Sequence, residues 1–138
     1  MSISTGMSIL SKGMSAQRVR VNLVASNLAN ANTTKTDEGG AYKRKDPIFQ
    51  AIDISGDDTN QGLSSVEVSE ISTDEAPGPK VYDPDHPDAD AEGMVEMPNV
   101  NVVEEMVNMM TAQRSFEANV QAFATLRDMS QRAIDLGR

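Results

Sequence analysis

Residues 98–137 read PNVNVVEEMVNMMTAQRSFEANVQAFATLRDMSQRAIDLG. Apolar side chains recur there mostly at alternating steps of four and three, the period of one helix face. The stripe comprises Val102, Met106, Met109, Gln113, Phe116, Val120, Phe123, Leu126, Met129, Ala133 and Leu136. Asn101 is a typical N-cap with Glu104 as its capping-box partner, and Gly137 stands where glycine commonly ends a helix. This predicts a helix on the order of 50 Å long, which needs a second helix to cover its apolar face.

A second apolar seam runs through the first thirty residues, again at steps of four and three. It consists of Ile3, Met7, Leu10, Met14, Gln17, Val21, Val24, Leu28 and Ala31. Gly6 and Gly13 each lower helix stability by about 1 kcal/mol relative to alanine. Gln17 and Gln113 are the polar residues within the two apolar seams, and we expect them to set the register in which the two helices pair. Seams at opposite ends of one chain predict an antiparallel hairpin of helices.

The middle of the chain reads as short strands and loops. Residues 47–54 alternate apolar and polar side chains with a proline at the edge, and residues 66–72 form a second strand pattern. Residues 55–62 are loop by composition, so the two strands predict a β-hairpin with a long tip. Prolines interrupt the following segment except for extended pieces at 80–82 and 94–95.

Together these patterns predict an α+β protein, with long terminal helices paired as a coiled-coil-like antiparallel hairpin and a small, extended, acidic middle. The predicted division is an N-terminal helix in 1–34, a β-hairpin and extended segment in 35–97, and a C-terminal helix in 98–138.

Composition limits the possible chemistry. The 138 residues are 38% hydrophobic and 4% aromatic, and they include no cysteine, which excludes disulfides, thiolate zinc sites and thiol nucleophiles. The net charge is −9, and residues 37–96 hold 16 acidic against four basic residues. No basic stripe is available to neutralise phosphates, so nucleic acid is not an expected partner. The start lacks the pattern of a secretory signal, and no run of 18 apolar residues occurs, which predicts a chain that is neither Sec-targeted nor membrane-spanning.

One acidic cluster resembles a calcium loop, with five carboxylates in residues 83–92. It lacks the sixth-position glycine of an EF-hand, and two prolines stiffen it. His86 beside Asp85 suggests a hydrolase triad, yet no nucleophile elbow or phosphate-binding glycine loop is present. We therefore expect no catalytic site, cofactor, metal or small-molecule substrate, and calcium binding is kept as an alternative.

Several stretches resemble a known family. Residues 25–34, ASNLANANTT, resemble the N-terminal motif of bacterial flagellar rod and hook proteins. Residues 81–90, VYDPDHPDAD, with 98–107 and 114–119, are similar to the proximal-rod members of that family. The loop positions that carry the resemblance are Asp83, Pro84, His86, Pro87, Asp88 and Asp90.

The resemblance implies a non-enzymatic structural subunit of the flagellar basal body. Such subunits are exported by the flagellar type III apparatus without a cleaved signal and assemble helically into the shaft that transmits torque. The implied partners are copies of itself, other proximal and distal rod proteins, inner-membrane ring and export-gate adaptor proteins, and the export apparatus. The acidic loop would contact or wrap neighbouring subunits, and the terminal segments would stay disordered until they meet the growing rod.

Apolar seams that one intramolecular pair covers on one side only are expected to form the assembly interface. The residues assigned to it are Met7, Leu10, Met14, Val21, Val24, Asn27, Leu28, Asn30, Val102, Met106, Met109, Phe116, Val120, Phe123 and Leu126. The heptads alone also allow a helical-hairpin adaptor or dimerisation module, and another rod or hook subunit is a further alternative.

Overall fold

The computed structural model describes residues 3–54 and 62–137. Two long helices flank four strands, which confirms the predicted α+β class. The elements in chain order are α1 (Ile3–Ala29), β1 (Lys45–Asp53), β2 (Ser64–Thr73), β3 (Lys80–Tyr82), β4 (Met94–Glu96) and α2 (Val102–Leu136).

The two helices pack against each other in antiparallel orientation, as predicted. Gly6, near the start of α1, lies against Leu126 in the second half of α2, where a Cβ atom on the glycine would be 3.2 Å from the leucine Cδ1. One heptad later, Gly13 faces Asn119, and the corresponding distance to the asparagine Nδ2 is also 3.2 Å. The glycines that lower the helix propensity of α1 are thus positions where side chains of α2 approach the α1 backbone closely.

The contact between the helices lies to one side of the predicted seams. Val24 is almost completely buried, but Ile3, Val102, Met106 and Val120 stay exposed. Four further seam residues, spaced seven apart, are only half-buried: Met7, Met14, Val21 and Leu28. Each predicted stripe therefore has one edge inside the subunit and one edge in solvent.

The glutamines of the seams do not contact each other through hydrogen bonds. Gln17 Oε1 is buried with no hydrogen-bond partner among the described residues, and Gln113 is exposed. Across the helices, Arg20 Nη2 instead donates to Asn108 Oδ1 over 3.1 Å. Polar contact between α1 and α2 is thus made by side chains other than the predicted pair.

The ends of α2 follow the predicted capping residues. Asn101 Oδ1 accepts hydrogen bonds from the amides of Val103 at 3.1 Å and Glu104 at 3.3 Å. The amide of Gly137 donates to the carbonyl of Ile134 with φ −90°, so the helix ends at the predicted glycine without a left-handed residue.

Strands β1 and β2 form the predicted antiparallel hairpin, with Lys45 opposite Thr73 and Asp53 opposite Ser64. A bulge between Ile48 and Phe49 breaks the predicted alternation, and both side chains are exposed. Of the predicted loop 55–62, residues 55–61 lie outside the described residues.

The short predicted extended pieces pair with each other as β3 and β4, with Val81 opposite Val95. Gly78 precedes them at a place where a Cβ atom would lie 1.8 Å from the carbonyl oxygen of Met97. This close passage brings the segment before β3 against the segment before α2.

The hydrophobic core is thin, as the composition predicts. It consists of Ala16, Val24, Ala31, Ala41, Tyr42, Val95 and Ala112. Within the described residues, no helix combines the length and the apolar character needed to cross a bilayer.

Candidate assembly surface and its polar junction

Asn27, in the last turns of α1, is completely buried, and all its hydrogen-bonding positions are occupied. Its Nδ2 donates to the carbonyl of Lys45 and to Oε2 of Glu105, each over 2.9 Å. Its Oδ1 accepts from the Tyr42 hydroxyl and from the Lys45 amide, each at 3.0 Å. A primary amide has two donor and two acceptor positions, so this network is saturated. Aspartate would break this network, because its second oxygen would replace both N–H donors with an acceptor.

Glu105, in the first turn of α2, is a fully buried carboxylate. Arg44 donates through Nε to Glu105 Oε1 over 2.8 Å, and its guanidinium also pairs with Asp46. Burial lowers the pKa of Arg44, but the hydrogen bond to Glu105 and the nearby carboxylates outweigh it and raise the pKa above its ordinary value. The buried negative charge thus has a permanently charged partner.

The backbone of Arg44 is clamped at the base of the β-hairpin. Its amide donates to Asn99 Oδ1 over 2.8 Å, and its carbonyl accepts from the amide of Asp74 at 2.8 Å. Asn99 Nδ2 in turn donates to the carbonyl of Asp74 over 2.9 Å, so Arg44, Asp74 and Asn99 are all hydrogen-bonded to one another. We call Asn27, Tyr42, Arg44, Asn99 and Glu105 the polar junction, because they join the end of α1, the base of the hairpin and the start of α2.

The two stretches that carry the family resemblance contact each other. Thr34, at the end of the asparagine-rich motif, donates through Oγ1 to Asp88 Oδ2 over 2.8 Å. Lys35 lies 3.9 Å from the other oxygen of the same carboxylate. The loop between β3 and β4 therefore docks on the segment that follows α1.

The side chains of the acidic loop mainly hold the loop itself. Asp90 Oδ1 accepts from the amides of Glu92 and Met94, each at 2.9 Å, and these bonds lower the pKa of Asp90. His86 Nδ1 accepts from the amide of Asp88 at 3.1 Å. Among the described residues, no three metal-ligating side chains stand close enough together to hold an ion. The loop side chains thus stabilise the turn and dock the loop on the segment after α1. Among the described residues they do not form a ligand set for the alternative hypothesis of calcium binding.

The residues assigned to assembly fall into three groups in this structure. Val24 and Asn27 are buried inside the subunit, and Asn30 holds the end of α1 by donating to the carbonyl of Ser26. The exposed members are Val102, Met106 and Val120. The half-buried members are Met7, Leu10, Met14, Val21, Leu28, Met109, Phe116, Phe123 and Leu126. The first group serves the subunit's own packing, and the other two leave apolar surface in solvent.

An exposed apolar ridge on α2 contains three residues that were not part of the predicted surface and one, Met106, that was. Val103 is 70% exposed, Val107 53% and Met110 52%, and Met106 lies between them on the same face at 54%. We call these four residues the α2 ridge. Their spacing of three and four residues places them together on one face of the helix. A second apolar stripe at 103, 107 and 110 is visible in the sequence, but it stands beside the stripe taken as the contact face.

Comparison with family models matches both ends of the chain. Residues 7–35 match the model described as "Flagella basal body rod protein". Residues 91–136 match the model described as "Flagellar basal body rod FlgEFG protein C-terminal". These ranges contain most of α1, all of α2 and part of the polar junction.

Curated relatives match over nearly the whole length. The flagellar basal-body rod protein FlgC of Aquifex aeolicus is 40% identical over 98% of this chain and 97% of its own length. The protein of the same name from Salmonella typhimurium is 40% identical over 94% of each chain. That of Bacillus subtilis is 35% identical over 96% of each.

Proposed function

Since this chain belongs to the FlgC family of flagellar basal-body rod proteins, we propose that this structural rod subunit polymerises helically through the surfaces of its terminal helices to build the proximal rod. In this role it transmits torque from the inner-membrane ring towards the distal rod and hook, and it acts without catalysis.

The observation that carries the proposal is the α2 ridge. Side chains of Val103, Val107 and Met110 that stay mostly in water inside one subunit contribute roughly 1 kcal/mol each when a neighbour covers them. A single contact of this size is weak after the cost of association is deducted. A lattice in which every subunit repeats the contact several times makes the assembly stable, because each added subunit is held by more than one neighbour.

The proposed partners are further copies, other proximal and distal rod proteins, the inner-membrane ring and export-gate adaptor proteins, and the flagellar type III export apparatus. The proposed location is the rod where it crosses the periplasm, reached by type III export without a cleaved signal. The half-buried edge of α1, with Met7, Met14 and Val21, is the second surface assigned to lateral contacts. The docked acidic loop is assigned to contacts with neighbouring subunits.

The test is a pair of matched double substitutions on α2. Val107→Glu with Met110→Glu puts two carboxylates on the ridge, whereas Gln121→Glu with Gln131→Glu puts two on exposed polar positions of the same helix. We expect the ridge variant to be produced and exported at the level of the wild-type chain but to be missing from purified basal bodies of its host. The control variant should be incorporated.

Incorporation of both variants at equal levels would contradict the assignment of the ridge. A wild-type chain that forms a discrete dimer in dilute solution and is absent from basal bodies would instead favour the adaptor alternative.

A further inference from the structure

The chain contains nine methionines and no cysteine, so thioethers are its only oxidisable sulfur groups. Among the described residues, five methionines are half-buried within the subunit: Met7, Met14, Met94, Met97 and Met109. The three exposed ones are Met106 at 54%, Met110 at 52% and Met129 at 58%. Two of these three belong to the α2 ridge. The fold of the subunit therefore leaves the ridge thioethers open to solvent.

Hydrogen peroxide oxidises a thioether by transferring one oxygen atom. The sulfur lone pair attacks a peroxide oxygen, the O–O bond breaks, and the products are a sulfoxide and one water molecule. The sulfur loses two electrons and the peroxide gains them, so the reaction needs no other reactant. The product is a polar side chain in place of an apolar one.

A sulfoxide on the α2 ridge would have no hydrogen-bond partner within the ridge. The other two members, Val103 and Val107, are apolar and offer no side-chain donor. Covering the ridge with an apolar neighbour would then bury a polar oxygen without a partner, which is unfavourable. An unmodified thioether at the same position favours that burial instead.

We propose that Met106 and Met110 form an oxidation-sensitive site: hydrogen peroxide converts them to sulfoxides before assembly, the oxidised chain is excluded from the rod, and a neighbour covering the ridge protects them afterwards. This inference rests on the proposed function, because it requires the ridge to contact a neighbouring subunit. It requires no helix pairing in the free chain, since both thioethers are exposed in the folded subunit and would be exposed in an unfolded chain as well.

The experiment is a competition between two full-length chains produced together in the host. One is the wild-type chain, and the other carries Met106→Leu with Met110→Leu, which keeps the ridge apolar but removes its oxidisable sulfur. Hydrogen peroxide is added while rods are growing. Mass spectrometry gives the ratio of the two chains in purified basal bodies, divided by their ratio in the exported, unassembled pool. Oxidation at the other methionines affects both chains equally and cancels.

Without peroxide we expect the two chains to be incorporated equally. With peroxide the normalised ratio of wild-type to variant chain should fall by about tenfold, because the oxidised ridge resists burial. Met129→Leu is the matched control, since Met129 is equally exposed on the same helix but lies outside the ridge. Its competition with the wild-type chain should not respond to peroxide.

Protection after assembly is measured on intact basal bodies treated with peroxide. We expect Met106 and Met110 to remain thioethers there, whereas the same dose should oxidise both in the urea-unfolded chain. Oxidation at equal rates in the two samples would overturn the protection of the site by a neighbour.

The competition has further outcomes that would overturn the proposal. These are an unchanged ratio although the exported pool carries both sulfoxides, no sulfoxide at either residue in that pool, or an equal shift in the Met129→Leu control. If the Val107→Glu, Met110→Glu chain is nevertheless missing from basal bodies, the ridge keeps its role in assembly and only the oxidation site is wrong. If that chain is incorporated normally, the role proposed for the ridge fails first.

Discussion

The side-chain amide of Asn27 donates to Oε2 of Glu105 over 2.9 Å, and this contact joins the last turns of α1 to the first turn of α2. The same amide also holds the backbone of Lys45 through both its donor and its acceptor side. One residue of the asparagine-rich motif thus connects three parts of the chain, and its chemistry allows direct tests.

Asn27→Ala should be among the most destabilising single changes in this chain. It leaves the Glu105 carboxylate, the Tyr42 hydroxyl and the Lys45 backbone without their partner in a buried place. We expect a loss of about 3–5 kcal/mol in the free energy of unfolding, measured by urea denaturation. Asn22→Ala, the same change at an exposed position of α1, should cost less than about 0.5 kcal/mol. Equal losses for the two variants would contradict the role of the junction.

Gln17→Leu should stabilise the helix pair. Its Oε1 is buried with no partner among the described residues, so removing the amide removes an uncompensated polar group. We expect the free energy of unfolding, measured by heat or urea, to rise by about 1 kcal/mol. Gln113→Leu is the control: Gln113 is exposed, so its substitution should change the free energy of unfolding by close to zero. A register shift in the double variant, detected by spin-label distances, would instead support glutamine as the register-setting pair.

Gly78→Ala should disrupt the packing of the segment before β3. The new Cβ would stand 1.8 Å from the carbonyl oxygen of Met97, so backbone must move. We expect a cost above about 2 kcal/mol and shifted NMR signals in β3 and β4. Gly39→Ala is the comparison, because its surroundings are open and only its positive φ of 90° opposes a side chain. That variant should cost about 1 kcal/mol, and a reversed order of the two costs would contradict the close passage at Gly78.

Acid should release the turn that Asp90 holds. The amides of Met94 and Glu92 bond the charged carboxylate and lower its pKa below the usual 3.8. Since the folded pKa is the lower one, these bonds stabilise the loop above pH 3.8 and are lost as the pH falls through the lowered value. Amide shifts of Met94 and Glu92 should therefore titrate with a midpoint below 3.8, and Asp90→Asn should abolish that titration. A midpoint at or above 3.8 would show that the bonds do not form in solution.

The sequence by itself determined the elements and their pairing. Two apolar stripes of helical period, one at each end of the chain, predicted the antiparallel helices, and Asn101 and Gly137 correctly marked the ends of α2. The alternating strand patterns predicted the β1–β2 hairpin. Each element depends on side chains near each other in the sequence, where period and capping chemistry leave few alternatives, and the pairing of the helices follows because each apolar stripe needs a cover.

The tertiary structure alone decided which edge of each stripe is buried and which polar residues meet. A helix with an apolar stripe this wide can rotate about its axis by a fraction of a turn and still place apolar side chains against its partner. The period of the stripe therefore does not determine which edge of it forms the contact. The close approach at Gly6 and Gly13 and the junction of Asn27, Arg44 and Glu105 make that selection. Asn27 and Glu105 are 78 residues apart, and no local pattern reports a hydrogen bond between residues so distant in sequence.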